Sequence, residues 1–431
     1  MPWFWREADE LSRADVDALA LRLLDEARGR IAKDLRRVLL LPPDLTRAHS
    51  GSGKITETLY NALAPHCDVH VIPTLGQHAP HTAEQNLWVF GSIPNERIHV
   101  HDWIGSVTKV GVIPGEMVSN STGGAADWDI PVDLNSSLMS EKWDLIINIG
   151  HVVPHEVLGF ANHNKNYFIG LGGKETICTS HMAAAIYGIE NNLGKLVTPL
   201  RSCFNWAEQQ FLGRLPDVYF QVVMKRNPDN RLVSCGVYVG DDVETYLMAA
   251  RTSKKENITI VEKPITKAVA VMQADEFYST WVANKAVYRT RMALADGADL
   301  LIIAPGLLRF GEQESVDRLI RKYGYRGTPQ TLKQYRENSD LRELAHAAAH
   351  LIHGSSEGRF TISYAPGHLT KTEIEQVNYR YVPLNEALAK YPPTKMKEGW
   401  NIMPDGEEVF FISTPSSGLW ATRSRLDARS E

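Results

Sequence analysis

NIGHVVPHEVLGFANHNKNYFIGLGGKETICTSHM, residues 148–182, decides how the chain is read. An apolar run over 143–149 enters it as a buried strand. The sequence then turns polar at once, with His151, His155, His163, Lys165, a Gly-rich run over 170–174 and His181. An α/β sheet delivers reactive groups in this way, at the carboxyl ends of its strands. Upstream the same order recurs. A strand at 37–42 leads through the polar loop 43–54 to a helix at 55–64, preceded by an amphipathic helix at 14–31. A strand at 68–74 leads through GQHAPHT to a helix that Thr82 caps, with Gln85 completing a capping box. Further strands are expected at 98–101, 107–113 and 130–134, and helices at 174–188, 204–212 and 243–253. Between the last two helices, 218–225 and 232–239 read as a hairpin around Asn227–Asn230.

A chain of 431 residues exceeds one ordinary core, so two α/β domains are expected, 1–262 and 263–431, with mixed or parallel sheets and the active site in the interdomain cleft. The second domain reads as strands at 267–273, 299–304, 360–364 and 409–413, with helices at 280–293, 314–322, near Leu332 and at 341–353. Hydrophobic content of 43%, charged content of 23% and a net charge of −5 describe a globular protein with no basic field for nucleic acid. No apolar run approaches the length of a membrane span, and the N-terminus lacks a basic region followed by an apolar core, so the expected location is the cytoplasm. Cys67, Cys178, Cys203 and Cys235 are scattered, which suggests neither a disulfide framework nor a thiolate metal site.

Several patterns carry chemistry. The loop 43–54 places backbone N–H groups, Arg47 and Lys54 at a helix start, the ingredients of an anion site. It fails as a Walker A loop, because Ala48 and Ile55 stand where that motif needs Gly and Ser or Thr. His346 and His350 have the zincin spacing, but HAAAH lacks the general-base Glu. His78 and His155 both fall at strand-to-loop junctions, so two imidazoles that titrate near neutrality can serve one cleft. His181 could bind a metal, and Lys165 is either a covalent anchor or one more exposed lysine.

Read as a set, Pro154-His155, Lys165 ten residues later, Thr176-Ile177 and His181 sixteen after the lysine resemble the signature of the lactate racemase family. Asp44-Leu45-Thr46-Arg47 is similar to that family's Asp-x-Thr-Arg loop, His78 to its His-x-Pro segment, and Lys285 in WVANKA to its substrate-site lysine. The resemblance implies a nickel-pincer nucleotide joined covalently to Lys165, with His181 as the nickel's protein ligand. Asp44, Thr46, Arg47, Thr176 and Trp281 would contact the cofactor, Arg47 and Lys285 would clamp a substrate carboxylate, and His78 and His155 would handle protons. The implied reaction inverts C2 of a small-molecule 2-hydroxy acid by reversible hydride transfer to the cofactor, through a flat 2-oxo acid. Each acid/base group would contribute about 10²–10⁴-fold.

Two departures bear on the substrate. Val282 replaces a glutamine and Trp281 a tyrosine of lactate racemases, and Asn162-His163-Asn164 replaces a small Ser-Gly-Gly run. Extra amide and imidazole groups beside the lysine suit a larger, polyhydroxylated acid such as a sugar acid, gluconate for example, unless they only support the loop. The alternatives are a racemase of lactate or another short-chain 2-hydroxy acid, a dehydrogenase-like hydroxy-acid enzyme, and a non-catalytic protein binding an anionic metabolite.

Overall fold

Leu145–His151, the strand that runs into the opening stretch, is buried along its whole length and lies inside a six-stranded sheet. In spatial order the strands are Phe4–Leu11, Leu232–Gly240, Asp217–Arg226, Leu145–His151, Arg37–Leu41 and Asp68–Val71. The last four run parallel, and the first two join antiparallel. Val38 to Leu41 are fully buried, the continuous apolar pattern of a strand covered on both faces. Helix Arg13–Arg30 packs against this sheet, opened by a capping box between Ser12 and Asp15. Helix Ser52–Leu63 lies beside it. Gly53, part of the Walker-like pattern, is needed for packing: a Cβ there would strike the Val89 carbonyl.

The computed structural model describes residues 1–31, 34–229, 231–416 and 418–427. Contacts divide the chain into two units, Met1–Ser180 with Leu193–Asn257, and His181–Asn192 with Ile258–Glu431. A single cut at 262 would leave 181–192 in the first unit, whereas that segment clusters with the second. The second unit holds its own sheet, in the order Arg380–Tyr381, Thr361–Pro366, Leu294–Ala304, Ile265–Val271, Glu408–Ile412 and Gly399–Ile402. All pairs are parallel except the last. The α/β class with mixed sheets is the one expected from the sequence. Among the described residues no helix is long and apolar enough to cross a membrane.

Most expected elements are present, including the hairpin, whose Asn230 lies outside the described residues, and the Thr82 capping box. Four readings are corrected. Residues 98–101 form no strand beyond a bridge from Ile98 to Val71, because His101 turns inward to meet Asn135 and Gly172. The helix expected from 204 begins at Pro199, where Thr198 caps it. The helix expected over 280–293 is two pieces, Thr280–Ala283 and Lys285–Thr290, broken where Asn284 is captured by Tyr364 and Tyr379. Residues 341–353 are likewise divided, into Ser339–Glu343 and Ala345–His353.

Candidate active site

In the first unit the strand Arg37–Leu41 ends in a 3₁₀ turn, Leu45–Ser50, with Asp44 as its N-terminal flanking residue. Asp44 is 5% exposed. One carboxylate oxygen meets His78 Nδ1 at 2.6 Å, and the other accepts from the Thr46 hydroxyl at 2.6 Å. Burial pushes this carboxyl up, but the hydrogen bonds from His78 and Thr46 and the charge of Arg47 outweigh it and hold the group at about 2. Asp44 is therefore ionised, His78 Nδ1 carries a proton toward it, and the neutral ring keeps its lone pair on Nε2. The His78 side chain is 52% exposed. His81, three residues on, plays another part. Its Nε2 accepts from the Leu45 N–H at 3.0 Å and its Nδ1 faces Asn86 Oδ1 at 3.1 Å, so it props the 44–47 loop.

Lys165 is half-buried at the start of a π-helical turn, Asn166–Gly170. Its amine is lowered to about 8, first by burial and then by the charge of Arg47, against the opposing pull of Glu156 and Asp44. The Arg47 guanidinium thus acts on both Lys165 and Asp44, and the Asp44 carboxylate acts on Lys165 in turn. A lysine at about 8 has roughly two orders of magnitude more neutral amine at pH 7 than an ordinary one. Limited labelling with an amine-reactive ester, read by peptide mapping, should find Lys165 modified ahead of fully exposed lysines, at a rate that rises with pH and levels off above about 8. Labelling no faster than that of surface lysines would contradict the assignment.

The backbone before Lys165 is strained, with Asn162 at φ 68° and His163 at φ 57°. It is held from within. The buried Arg201 guanidinium donates to the Phe160 carbonyl at 2.7 Å and to the Asn162 carbonyl, reaches Asn164 Oδ1, and lies over the Tyr246 ring at 4.4 Å. The Asn164 amide donates to Asn205 at 2.7 Å and to Glu208 at 3.0 Å. Asn162 Oδ1 accepts from Asn166, which also donates to Asn148, both at 2.7 Å. His163 stacks on Tyr219 at 4.1 Å, and burial lowers it to about 3. Behind it burial raises Glu208, and burial together with the Glu208 charge carries Asp217 to about 7. Of the three side chains suggested as substrate contacts, Asn164 is thus committed to holding the loop, Asn162 is engaged through its oxygen, and His163 packs on Tyr219.

His155 is buried, and its Nδ1 accepts from the Val157 N–H at 3.2 Å, which leaves the proton of the neutral ring on Nε2, 3.9 Å from Glu156. The two candidate histidines are therefore held in opposite tautomers. Thr176 is fully buried, and its hydroxyl is engaged with the Asp133 backbone, accepting from N–H at 2.9 Å. It pins the helix Lys174–Tyr187 instead of reaching outward. His49 stands edge-on to His151, with ring centroids 5.7 Å apart, beside Arg47 in sequence.

The second unit carries His181, half-buried on that same helix, together with Trp281 and Lys285. Asn284 Oδ1 accepts from Tyr364 at 2.8 Å and from Tyr379 at 3.1 Å, and this fixes the backbone at Lys285, whose amine lies 5.9 Å over the Phe277 ring. Trp281 stacks on His350 at 4.2 Å, and Tyr325 meets His350 Nε2 at 3.0 Å. The zincin-spaced histidines thus belong to an aromatic cluster. Among the described residues no three His, Cys, Asp or Glu side chains converge as a metal cage. The sequence did not reveal Arg201, Asn166 or Asn284 as supports of the site. Their partners are remote in sequence, and only the run of asparagines hinted at a bonded loop.

Residues 16–193 match the family model of the lactate racemase N-terminal domain. No curated protein sequence matches the chain. Among solved structures, a protein from Thermotoga maritima superposes with a TM-score of 0.78 at 22% identity, covering 97% of this chain and 100% of that one. The lactate racemase apoprotein from Thermoanaerobacterium thermosaccharolyticum superposes with a TM-score of 0.71 at 15% identity, covering 97% and 94%. At such identities the structural likeness establishes the fold alone. Residues 16–193 carry a segment similar to the lactate racemase N-terminal domain.

Proposed function

We propose that the chain is a racemase or epimerase acting at C2 of a 2-hydroxy acid with a nickel-pincer nucleotide held on Lys165. The observation that carries this reading is the Asp44–His78 pair, an oriented base whose neighbour Arg47 also acts on a lysine with its amine lowered to about 8. The residues fit such a group. A partly neutral, half-buried amine suits covalent attachment. A single imidazole at His181, with no cage of protein ligands around it among the described residues, suits a nickel whose soft donors come with the organic group. When bound, that group supplies the acceptor and donor of the C2 hydride.

The chain's own residues supply position and proton handling. His78 takes the substrate hydroxyl proton on Nε2 while Asp44 holds the ring and stabilises the imidazolium. Arg47 pairs with the substrate carboxylate by a bidentate fork, and Lys285 is the candidate cation of the second unit. His155 meets a substrate oxygen first as a donor through Nε2–H, and acting as a base at that nitrogen requires its proton to move to Nδ1, at the cost of the bond accepted from the Val157 N–H. His155→Gln, which keeps an N–H, should therefore retain about fivefold more activity than His155→Ala, one hydrogen bond being worth about 1 kcal/mol. Equal rates for the two variants would exclude the donor role.

The preference for a sugar acid loses part of its support, because Asn164 and the Asn162 oxygen are spent on the loop wall. It now rests chiefly on Val282 and Trp281. Loss of optical purity followed across lactate, malate, an aromatic hydroxy acid and gluconate tests the reading. Inversion of any of them that depends on His78 and Lys165 supports the proposed function, and inversion of none in the nickel-loaded protein overturns it. Lactate preferred above the rest would exclude the larger acid.

A further inference from the structure

One group of charges lies outside the machinery described so far. Glu190, on the short helix Ile189–Asn192, receives three guanidinium groups: Arg291 Nε at 3.0 Å, Arg359 Nη1 at 2.7 Å and Arg425 Nη1 at 3.6 Å. Arg291 is 3% exposed in its side chain. Arg359 and Arg425 are themselves tied to Asp296, each at 2.9 Å, and Arg359 also donates to the Leu294 carbonyl. All these residues belong to the second unit.

The short helix is in turn fastened to the one that bears His181. Asn191 donates to the Tyr187 carbonyl at 2.7 Å, and Asn192 donates to the Ala184 carbonyl at 3.0 Å and the Gly188 carbonyl at 3.2 Å. Asn191 thereby caps the Tyr187 carbonyl at the end of the helix Lys174–Tyr187, and Asn192 adds a second donor to the Ala184 and Gly188 carbonyls, which also accept from the Gly188 and Asn191 N–H groups. Ala184 lies one turn beyond His181. Rigid contacts therefore run from three arginines through Glu190, Asn191 and Asn192 to the turn that presents His181.

We propose that Glu190 is a positioning residue for His181, its three-arginine clamp fixing where that imidazole can meet a metal; the nickel part of this inference rests on the function proposed above. Groups that orient a metal ligand from outside the coordination sphere commonly set affinity by about 10–100-fold. A cavity of about 330 Å³, lined by Glu190, Arg291, Arg359 and Arg425, adjoins the clamp and can admit a small carboxylate.

The test uses Glu190→Gln and Glu190→Ala in the full chain produced with the cofactor-synthesis enzymes. The proposal expects the Lys165 adduct at wild-type level in the folded variants, nickel lost to a chelator about tenfold faster, and faster amide exchange over 181–192 with the sheet of that unit unchanged. Added acetate should restore slow exchange in Glu190→Ala, and Glu190→Asp should recover part of the nickel retention. Nickel held at the wild-type rate by both variants overturns the proposal. Unchanged exchange over 181–192 overturns it as well, even in protein without nickel. Wild-type chain that takes up neither adduct nor nickel overturns the proposed function instead, and the exchange result then decides whether the clamp exists.

Discussion

Replacing Asp44 with Asn is expected to lower turnover by about 10²–10⁴-fold, the usual worth of one acid/base group. The carboxylate accepts on both oxygens, from His78 and from Thr46. An amide offers one acceptor and one donor, so either Thr46 loses its acceptor or the NH₂ faces His78 Nδ1 and drives the proton to Nε2. The second outcome removes the exposed lone pair. Asp44→Asn combined with His78→Ala should be no slower than His78→Ala alone, since both disable one unit. Stability should follow the sign of the shift. The Asp44 carboxyl is depressed to about 2, so its contribution of about 2 kcal/mol is present above pH 4 and lost as pH falls toward 2. Thermal unfolding should therefore separate the variant from wild type at pH 7 and not at pH 2. A rate within threefold of wild type would remove His78 from the account.

Arg201→Met is expected to have the largest effect on stability, about 3 kcal/mol or more, because it leaves the Phe160 and Asn162 carbonyls and Asn164 Oδ1 without their charged donor. At about 2–4 °C per kcal/mol for a unit of this size, Tm should fall by roughly 10 °C. Tyr246 still donates to the Phe160 carbonyl at 3.2 Å, but Asn162 and His163 occupy left-handed backbone that relaxes once the Asn162 carbonyl is released. Loss of the Arg201 charge, which helps lower Lys165, should also slow amine labelling at pH 7. A Tm within about 2 °C of wild type would show that the loop is held by other contacts.

Individual elements were legible wherever a strand is covered on both faces, as at Leu145–His151, and wherever a turn carries its own chemistry, as at the Thr82 capping box, whereas the strand order was not. Phe4–Leu11 was missed because it is an edge strand with six consecutive exposed residues, so burial imposes no alternation on it. The break at Asn284 was invisible because no local residue stops the helix, and the bonds that do so come from Tyr364 and Tyr379, far along the chain. Within the site, residue type announced His78, Lys165 and Arg47, but direction did not follow from type. Asn162, His163 and Asn164 are polar beside a reactive lysine and face the wall, while Thr176 is buried against Asp133. Pairing of Asp44 with His78 spans two strand ends of one sheet and follows from the parallel neighbours Arg37–Leu41 and Asp68–Val71.

We propose that Lys165 carries the cofactor and that His181 is the protein ligand of its metal. Intact-mass and peptide-mapping spectrometry of the chain produced with the cofactor-synthesis enzymes, with metal analysis of the same sample, tests it most directly. An adduct located on Lys165 with stoichiometric nickel, absent from Lys165→Ala, is the expected result. Wild-type chain with Lys165 unmodified and no bound nickel would contradict it.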